Sequence, residues 1–322
     1  MKHIHWLVPY KISNPEDIFK MNLASARLRS GLFFSPAFKK FSVNLNESIS
    51  NLKSIDILLV GKFPENRQDL YKTWINYINK FRNLDKKIFF DYTDNHLGYD
   101  TLAGKFYNQA INENDSIITS SNKQKTNLLP KYKNTTVIED PIEIEIQKIK
   151  KNKSNRFLFF GHPSNLKYLF KHIPNWDLSK NYDLVIQTSD NGLNLIQEQS
   201  KFIQKPPNLN IYLQHWSIAN MIKEAASASG IIIPGDINDS RKNGVSHNRL
   251  LTAFALGLPV AATRYESYLE FDNQFANIDN QVDFTKFLIN PNLFGSRVMM
   301  AQQKVKNYTK DNLAKKWLEL LK

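Results

Sequence analysis

The sequence predicts an α/β protein made of two doubly wound parallel-sheet domains facing across a cleft. Three observations carry that expectation. Short apolar runs alternate with helical segments through both halves of the 322 residues, the rhythm that parallel strands with crossover helices produce. A charged stretch with no firm apolar period, Glu143–Asn155, interrupts the rhythm near the middle and reads as a linker, helical at most in part. One crossover unit is complete in a single stretch. An apolar run Gly230–Ile233 stops at Pro234-Gly235-Asp236, a polar basic loop comes next, a helix runs from near Ser246 to Gly257, and Pro259–Ala262 forms the next strand.

The first domain, residues 1–145, opens with a strand over His3–Val8 and a helix over Asn22–Ser30. A strand over Ile55–Val60 comes next, then the helix Leu70–Phe81, which places Leu70, Trp74, Tyr77, Ile78 and Phe81 on one face. Lys87–Asp91 and Ser116–Thr119 are further strands, and Lys123–Leu129 is a short helix closed by Pro130. Val137–Ile138 ends the domain's last strand at Glu139-Asp140-Pro141. In the second domain, residues 146–322, the rhythm restarts at Phe157–Phe160. It continues through Leu184–Gln187, Leu209–Leu213 and Met221–Ala228 into the complete unit, and roughly Phe294–Leu321 reads as one long helix.

Composition excludes several classes. A chain with 42% hydrophobic and 23% charged residues suits a soluble globular protein. With no cysteine there is no disulfide framework, thiolate zinc site or thiol nucleophile, which fits a reducing cytoplasm. Net charge is +13, so anionic partners come into question. The excess is diffuse, however: 22 Lys/Arg stand against 16 Asp/Glu in residues 1–150, and 21 against 14 thereafter. A nucleic-acid face should be concentrated. His3, His5, Pro9 and Lys11 break the only apolar stretch near the start, and no run approaches the ~18 residues that span a bilayer. The expected location is the cytoplasm, with at most peripheral contact to the inner face of an anionic membrane. Pro9-Tyr10-Lys11 stands after the first strand where a dinucleotide site would need a glycine-rich turn, and no GxxxxGK[ST] occurs. Neither HExxH nor a three-carboxylate cluster is present, so no metal is expected.

Candidate chemistry sits at strand ends, where open α/β sheets bind ligands. In the complete unit, the N–H groups at the start of the helix suit an anion such as a pyrophosphate. Ser246 is a candidate N-cap, His247, Asn248 and Arg249 form the first turn, and Arg241 and Lys242 flank it. Asp236 and Asp239 end the same edge and can hold the Arg241–Lys242 loop. After Phe157–Phe160, Gly161 permits close backbone approach, His162 lies at the strand end, and Ser164 or Asn165 can cap the next helix. Lys167 works against that helix's dipole, which suits either a nearby anion or an ordinary surface lysine. In the first domain, Asp94 and His96 can orient an acceptor hydroxyl or take its proton, or form a satisfied pair. Asp91 can cap the next turn. Ser25 and Arg27 lie near the first strand's exit, while Arg29 reads as a solvated residue.

Gly161…Asn165-Leu166, the Asp140-Pro141-Ile142-Glu143 close of the first half, and Leu251-TAFALGLPV-Ala261 together resemble a GT-B glycosyltransferase of the family-4-like retaining group. The resemblance implies two Rossmann-like domains, the C-terminal one holding a nucleotide-sugar donor and the N-terminal one an acceptor, with the last helix (about 305–322) packing back toward the N-terminal domain. It implies a hexosyl- or related transferase acting on a glycan or lipid-linked hydroxyl, retaining and metal-independent. No cofactor is implied beyond the donor substrate. Catalysis would fall to Asp94, His96 and His162. Donor binding would fall to Gly161, Asn165, Lys167, Arg241, Lys242, Ser246, His247, Asn248 and Arg249, with the base near Gln214–Ile218. One departure stands out. The family's paired glutamates would fall at Gly244 and Thr252, and neither is acidic. A DNA-modifying glycosyltransferase of phage type and an inactive nucleotide-sugar or glycan-binding protein are the alternatives.

Overall fold

The structure, a computed structural model, describes residues 1–21, 24–199 and 203–322. The chain divides into two compact units. The first comprises residues 1–141, 244–246 and 308–322, and the second residues 142–243 and 247–307. The division falls at Pro141/Ile142, a few residues before the boundary read from the sequence.

The first unit contains β1 (Lys2–Leu7), α1 (Ala24–Leu28), β2 (Phe41–Asn46), β3 (Ile57–Val60), α2 (Gln68–Arg82), β4 (Lys87–Tyr92), α3 (Leu102–Ala110), β5 (Ser116–Thr119), α4 (Asn122–Leu128) and β6 (Thr135–Val137). Its sheet has the order β2-β1-β3-β4-β5-β6, with every pairing parallel. The helix expected over Asn22–Ser30 is formed from Ala24, and Asn22 and Leu23 lie outside the described residues. Helix α2 buries Leu70, Trp74, Ile75, Ile78 and Phe81, a stripe of the width that fixes an amphipathic helix on a sheet. Each such side chain contributes about 1.5–3 kcal/mol by leaving water. The strand missed by sequence reading, β2, is an edge strand with alternating partial burial, so its apolar signal is weak.

The second unit contains β7 (Arg156–Phe160), α5 (Leu166–His172), β8 (Tyr182–Thr188), α6 (Asp190–Gln199), β9 (Leu209–His215), α7 (Ile218–Ala225), β10 (Gly230–Ile233), α8 (Asn248–Ala255), β11 (Val260–Ala262), β12 (Ala276–Asn277), α9 (Gln281–Ile289) and α10 (Gly295–Val305). The order β12-β11-β10-β7-β8-β9 is again all parallel. The stretch 143–155 carries no helix. It lies along the end of α8, where Gln147 and Lys150 N–H groups bond to the Ala255 and Gly257 carbonyls. Gly257, at φ +75°, ends α8 in the left-handed conformation that glycine adopts without cost.

The single helix expected over 294–321 is two. Helix α10 ends at Val305, and α11 (Lys310–Leu320) starts after a turn at Lys306–Tyr308 and belongs to the first unit. There Leu313, Ala314 and Trp317 pack with Trp6 and Phe33, ring centroids 5.3 and 5.2 Å from Trp317. Among the described residues no helix is long and apolar enough to cross a membrane.

Candidate active site

In each sheet the chain order reverses at one place, between β1 and β3 in the first unit and between β7 and β10 in the second. Ligands of open α/β sheets bind outside the carboxyl ends of the strands at such points. The turns leaving these four strands therefore define two crevices.

In the second unit, β7 runs into Gly161. A Cβ there would stand 3.4 Å from both Arg249 Nη1 and Asn165 Nδ2. The bare Gly161 backbone, a carboxamide and a guanidinium thus converge. Arg249 also donates to the hydroxyl of buried Tyr268. Its Nη1 is enclosed and has no hydrogen-bond partner, an arrangement that costs free energy unless something fills it. On the other side, the turn after β10 is pinned: Gly235 N–H donates to Thr263 Oγ1 at 2.8 Å and Asp236 N–H to the Tyr265 hydroxyl at 3.0 Å. A side chain on Gly235 would land on that hydroxyl. Burial pushes the Tyr265 and Tyr268 phenols up, so both stay neutral.

The cations predicted around this crevice are distributed differently. Lys167 Nζ lies 3.6 Å from Asp239 and over the Tyr168 ring, so its anion is a carboxylate of the same unit. Lys171 pairs with Asp236 at 2.9 Å. Arg241 turns to Asp239 at 3.6 Å, and the Lys242 N–H bonds to the Asp239 carbonyl. Burial works against the ionised Asp239, but the Tyr168 hydroxyl and the Arg241 backbone N–H outweigh it and hold its carboxyl below the usual range. Helix α8 starts later than expected. Its N-cap is His247, not Ser246, and Ser246 falls in the first unit with Gly244. His247 is buried, pairs with Glu270 through Nε2 and packs against Phe271. Asn248 and Arg249 are half-buried in the first turn. Asn165 does stand at the N-cap position of α5, as expected, but its side chain makes no capping hydrogen bond. Nδ1 of His162 accepts from the Ser164 N–H at 3.2 Å, which makes that ring part of the turn. Of the expected set, Gly161, Asn165 and Arg249 are brought together.

In the first unit, β3 runs into Gly61-Lys62. Lys62 pairs with Asp94, and Asp94 Oδ2 lies 3.9 Å from His96 Nε2. Nδ1 of His96 is 3.4 Å from Glu65. Asp94 and His96 therefore do meet, with two partners that sequence reading missed. Lys62 also lines a small cavity, whose other walls include Trp6, Val8, Pro9, Ser25, Gly61 and Asp91. Asp91 caps nothing. It takes a bidentate contact from Arg29, whose Nη1 also reaches Asp140 at 3.0 Å and the Ile138 carbonyl at 2.7 Å. Arg29 is fully buried, not solvated, and Arg27 is buried too, bonded to the Met21 carbonyl. A glycine directly after a buried strand is the signal common to Val60-Gly61-Lys62 and Phe160-Gly161-His162, and it would have found Lys62. At the positions of the absent glutamates, Thr252 is buried in α8 and the Gly244 carbonyl accepts from Ser121 Oγ. Among the described residues no three His, Asp or Glu side chains converge as a metal site requires.

No protein-family model matches the chain, and no curated protein matches it by sequence. Solved structures do match over its whole length. Anabaena HepE, in complex with UDP and glucose, superposes with a TM-score of 0.62 at 12% identity, covering 100% of this chain and 99% of that one. A DNA-modifying β-glucosyltransferase gives 0.60 at 12% identity, covering 98% and 97%. An α-glucosyltransferase in complex with UDP gives 0.59 at 9% identity, covering 99% of each. At such identities the likeness establishes architecture, and the architecture is the GT-B fold of two Rossmann-like domains.

Proposed function

We propose that this protein is a glycosyltransferase that moves a sugar from a nucleotide-sugar donor to a hydroxyl of a glycan or lipid-linked acceptor. The observation that carries the reading is Arg249 Nη1, an enclosed cationic donor without a partner, beside the Gly161 backbone and the Asn165 amide. A donor diphosphate supplies the missing acceptors. Its charge grows as the sugar leaves, and a fixed guanidinium with the first N–H groups of α8 stabilises that growth. The solved structures with UDP bound are consistent with this choice of ligand. In the first unit, Asp94 and His96 receive the acceptor's proton. Retention of configuration, a hexosyl donor, independence of metal and a cytoplasmic site of action belong to the same reading. A lipid-linked acceptor would bring the protein to the face of an anionic membrane.

A DNA-base acceptor is the second reading, favoured by the +13 charge and by the DNA-modifying enzyme among the similar folds. The even division of that charge along the chain favours the glycan. Binding to duplex DNA that falls steeply with salt would reverse the preference.

The test screens UDP, GDP, ADP and CMP by melting temperature, since a ligand of the folded state raises it. Donors of the winning nucleotide are then monitored for release of that nucleotide. Arg249→Ala should lower turnover about 100-fold, the scale of losing one preorganised donor to a developing anion. Turnover that Arg249→Ala leaves unchanged contradicts the site. Tight nucleotide binding with no turnover of any donor points to the inactive, binding-only protein.

A further inference from the structure

Lys62 in the first sheet, like His162 in the second, comes two residues after a strand that borders the switch point. It stands directly after a glycine at the end of a switch-point strand. A Cβ on Gly61 would stand 2.6 Å from the Leu7 carbonyl oxygen and 2.8 Å from Trp6 Nε1. The backbone is thus locked against β1, and the origin of the Lys62 side chain is set. The ammonium and the Asp94 carboxylate it meets are each only about one-quarter exposed, at 27% and 25%.

We propose that Lys62 is a positioning residue of the transfer reaction: its ammonium pins the Asp94 carboxylate beside His96, so that carboxylate and imidazole act as one unit on the acceptor hydroxyl. This rests on the glycosyltransferase reading above. The imidazole is itself held from several directions. The backbone N–H groups of His96 and Leu97 donate to the Tyr92 hydroxyl at 2.6 and 2.7 Å. The ring stacks on Tyr107 with centroids 5.7 Å apart. Nδ1 faces Glu65, whose other oxygen accepts from the Ala103 N–H at 3.0 Å. Asp94 in turn is held by its ion pair with Lys62. An exposed ion pair of this kind would contribute little, but this one sits at a ligand crevice, where placement of a proton acceptor matters more than stability.

The chemistry balances without a further reactant. The acceptor oxygen forms the bond to the sugar's anomeric carbon, the bond from that carbon to the diphosphate oxygen breaks with its electron pair, and the acceptor proton passes to the Asp94–His96 unit. Besides Lys62, His96 and Glu65, the titratable groups facing this unit include, among the described residues, Tyr10, Tyr92, Tyr107 and Asp140. Burial pushes the three phenols up, so they stay neutral, and Asp140 is engaged by Arg29. Burial also works against a charged Lys62, but Asp94 outweighs it and raises the lysine's pKa. Lys62 is accordingly a charged partner held against the pair.

The test compares the full chain with Lys62→Met and Lys62→Arg. Turnover, donor KM, melting temperature and the NMR titration of His96, assigned through His96→Gln, are measured. Lys62→Met should lower kcat about 10- to 100-fold with donor KM unchanged. Its His96 midpoint should move up, because a neighbouring cation is lost. Lys62→Arg should restore most of the kcat. A kcat within about twofold of wild type and an unmoved titration overturn the proposal, as does a loss that tracks melting temperature and is not rescued by arginine. If wild type turns over no donor, the glycosyltransferase reading fails and the titration stands alone: an unmoved midpoint overturns the pinning as well.

Discussion

The two switch-point crevices both stand on six-stranded, all-parallel sheets, yet different chemistry lies beneath them. Under the crevice of the second unit the strands are aliphatic or aromatic, with Ile231–Ile233, Val260–Ala262 and Phe157–Phe160 buried. One cation, Arg249, is aimed at a bare glycine. Under the crevice of the first unit lie buried polar and charged groups: His5 within β1, and Arg29 between Asp91 and Asp140. Above them sit Lys62, Asp94, His96 and Glu65. An apolar floor with a guanidinium whose Nη1 lacks a hydrogen-bond partner suits capture of an anion. A floor of matched charges suits the handling of a proton. The same fold can therefore divide binding and acid–base work between its halves through the residues placed just after each strand.

That contrast can be broken in three places. The largest effect is expected from Arg29→Met, which strands two buried carboxylates. Breaking a buried pair in this way costs about 3–5 kcal/mol, read as a lower urea midpoint. A cost below about 1 kcal/mol would mean that the charges under the first crevice are not a structural floor. Next comes His5, whose imidazole burial lowers from 6.5 to about 4. The unfolded chain takes up this proton first as pH falls, so stability is lost between pH 6.5 and about 4. The loss approaches about 3 kcal/mol, and His5→Asn should remove it from the difference between the two stability–pH curves. Identical curves would show His5 to be as easily protonated as an exposed histidine. The smallest effect sharpens the comparison. Gly161→Ala places a methyl group in ordinary contact with Arg249 and Asn165, so melting temperature should hold. Affinity for a nucleoside diphosphate should fall about tenfold because the backbone can no longer be approached. Unchanged affinity would move the diphosphate away from Gly161.

Sequence reasoning succeeded at short range and failed at long range. Most of the parallel strands, though not β2 or β12, were legible because buried runs such as Ser116–Thr119 and Gly230–Ile233 are local signals bounded by local breakers. Helix α2 was legible from its stripe. Arg29 was misread because its partners lie 62 and 111 residues away, and nothing near it in the chain reports them. Lys167 left a nearby anion and an ordinary surface lysine equally open for the same reason, since Asp239 is supplied by a distant loop. Ser246 is a good capping residue by type, but the backbone enters α8 one residue later, at His247. Tyr265 and Tyr268, which hold the β10 turn and Arg249, carry no motif at all. The break at Lys306–Tyr308 lies within a segment of continuous helical propensity, where tertiary packing decided the outcome.

Arg249, as the cation that awaits a diphosphate, is the centre of the proposed chemistry. Its most direct test is calorimetric titration of the nucleoside diphosphate that raises the melting temperature most, against wild type and Arg249→Ala. Binding should be about 100-fold weaker in the variant, with the melting temperature of the unliganded protein little changed. Equal affinity in the two proteins would contradict the role given to Arg249.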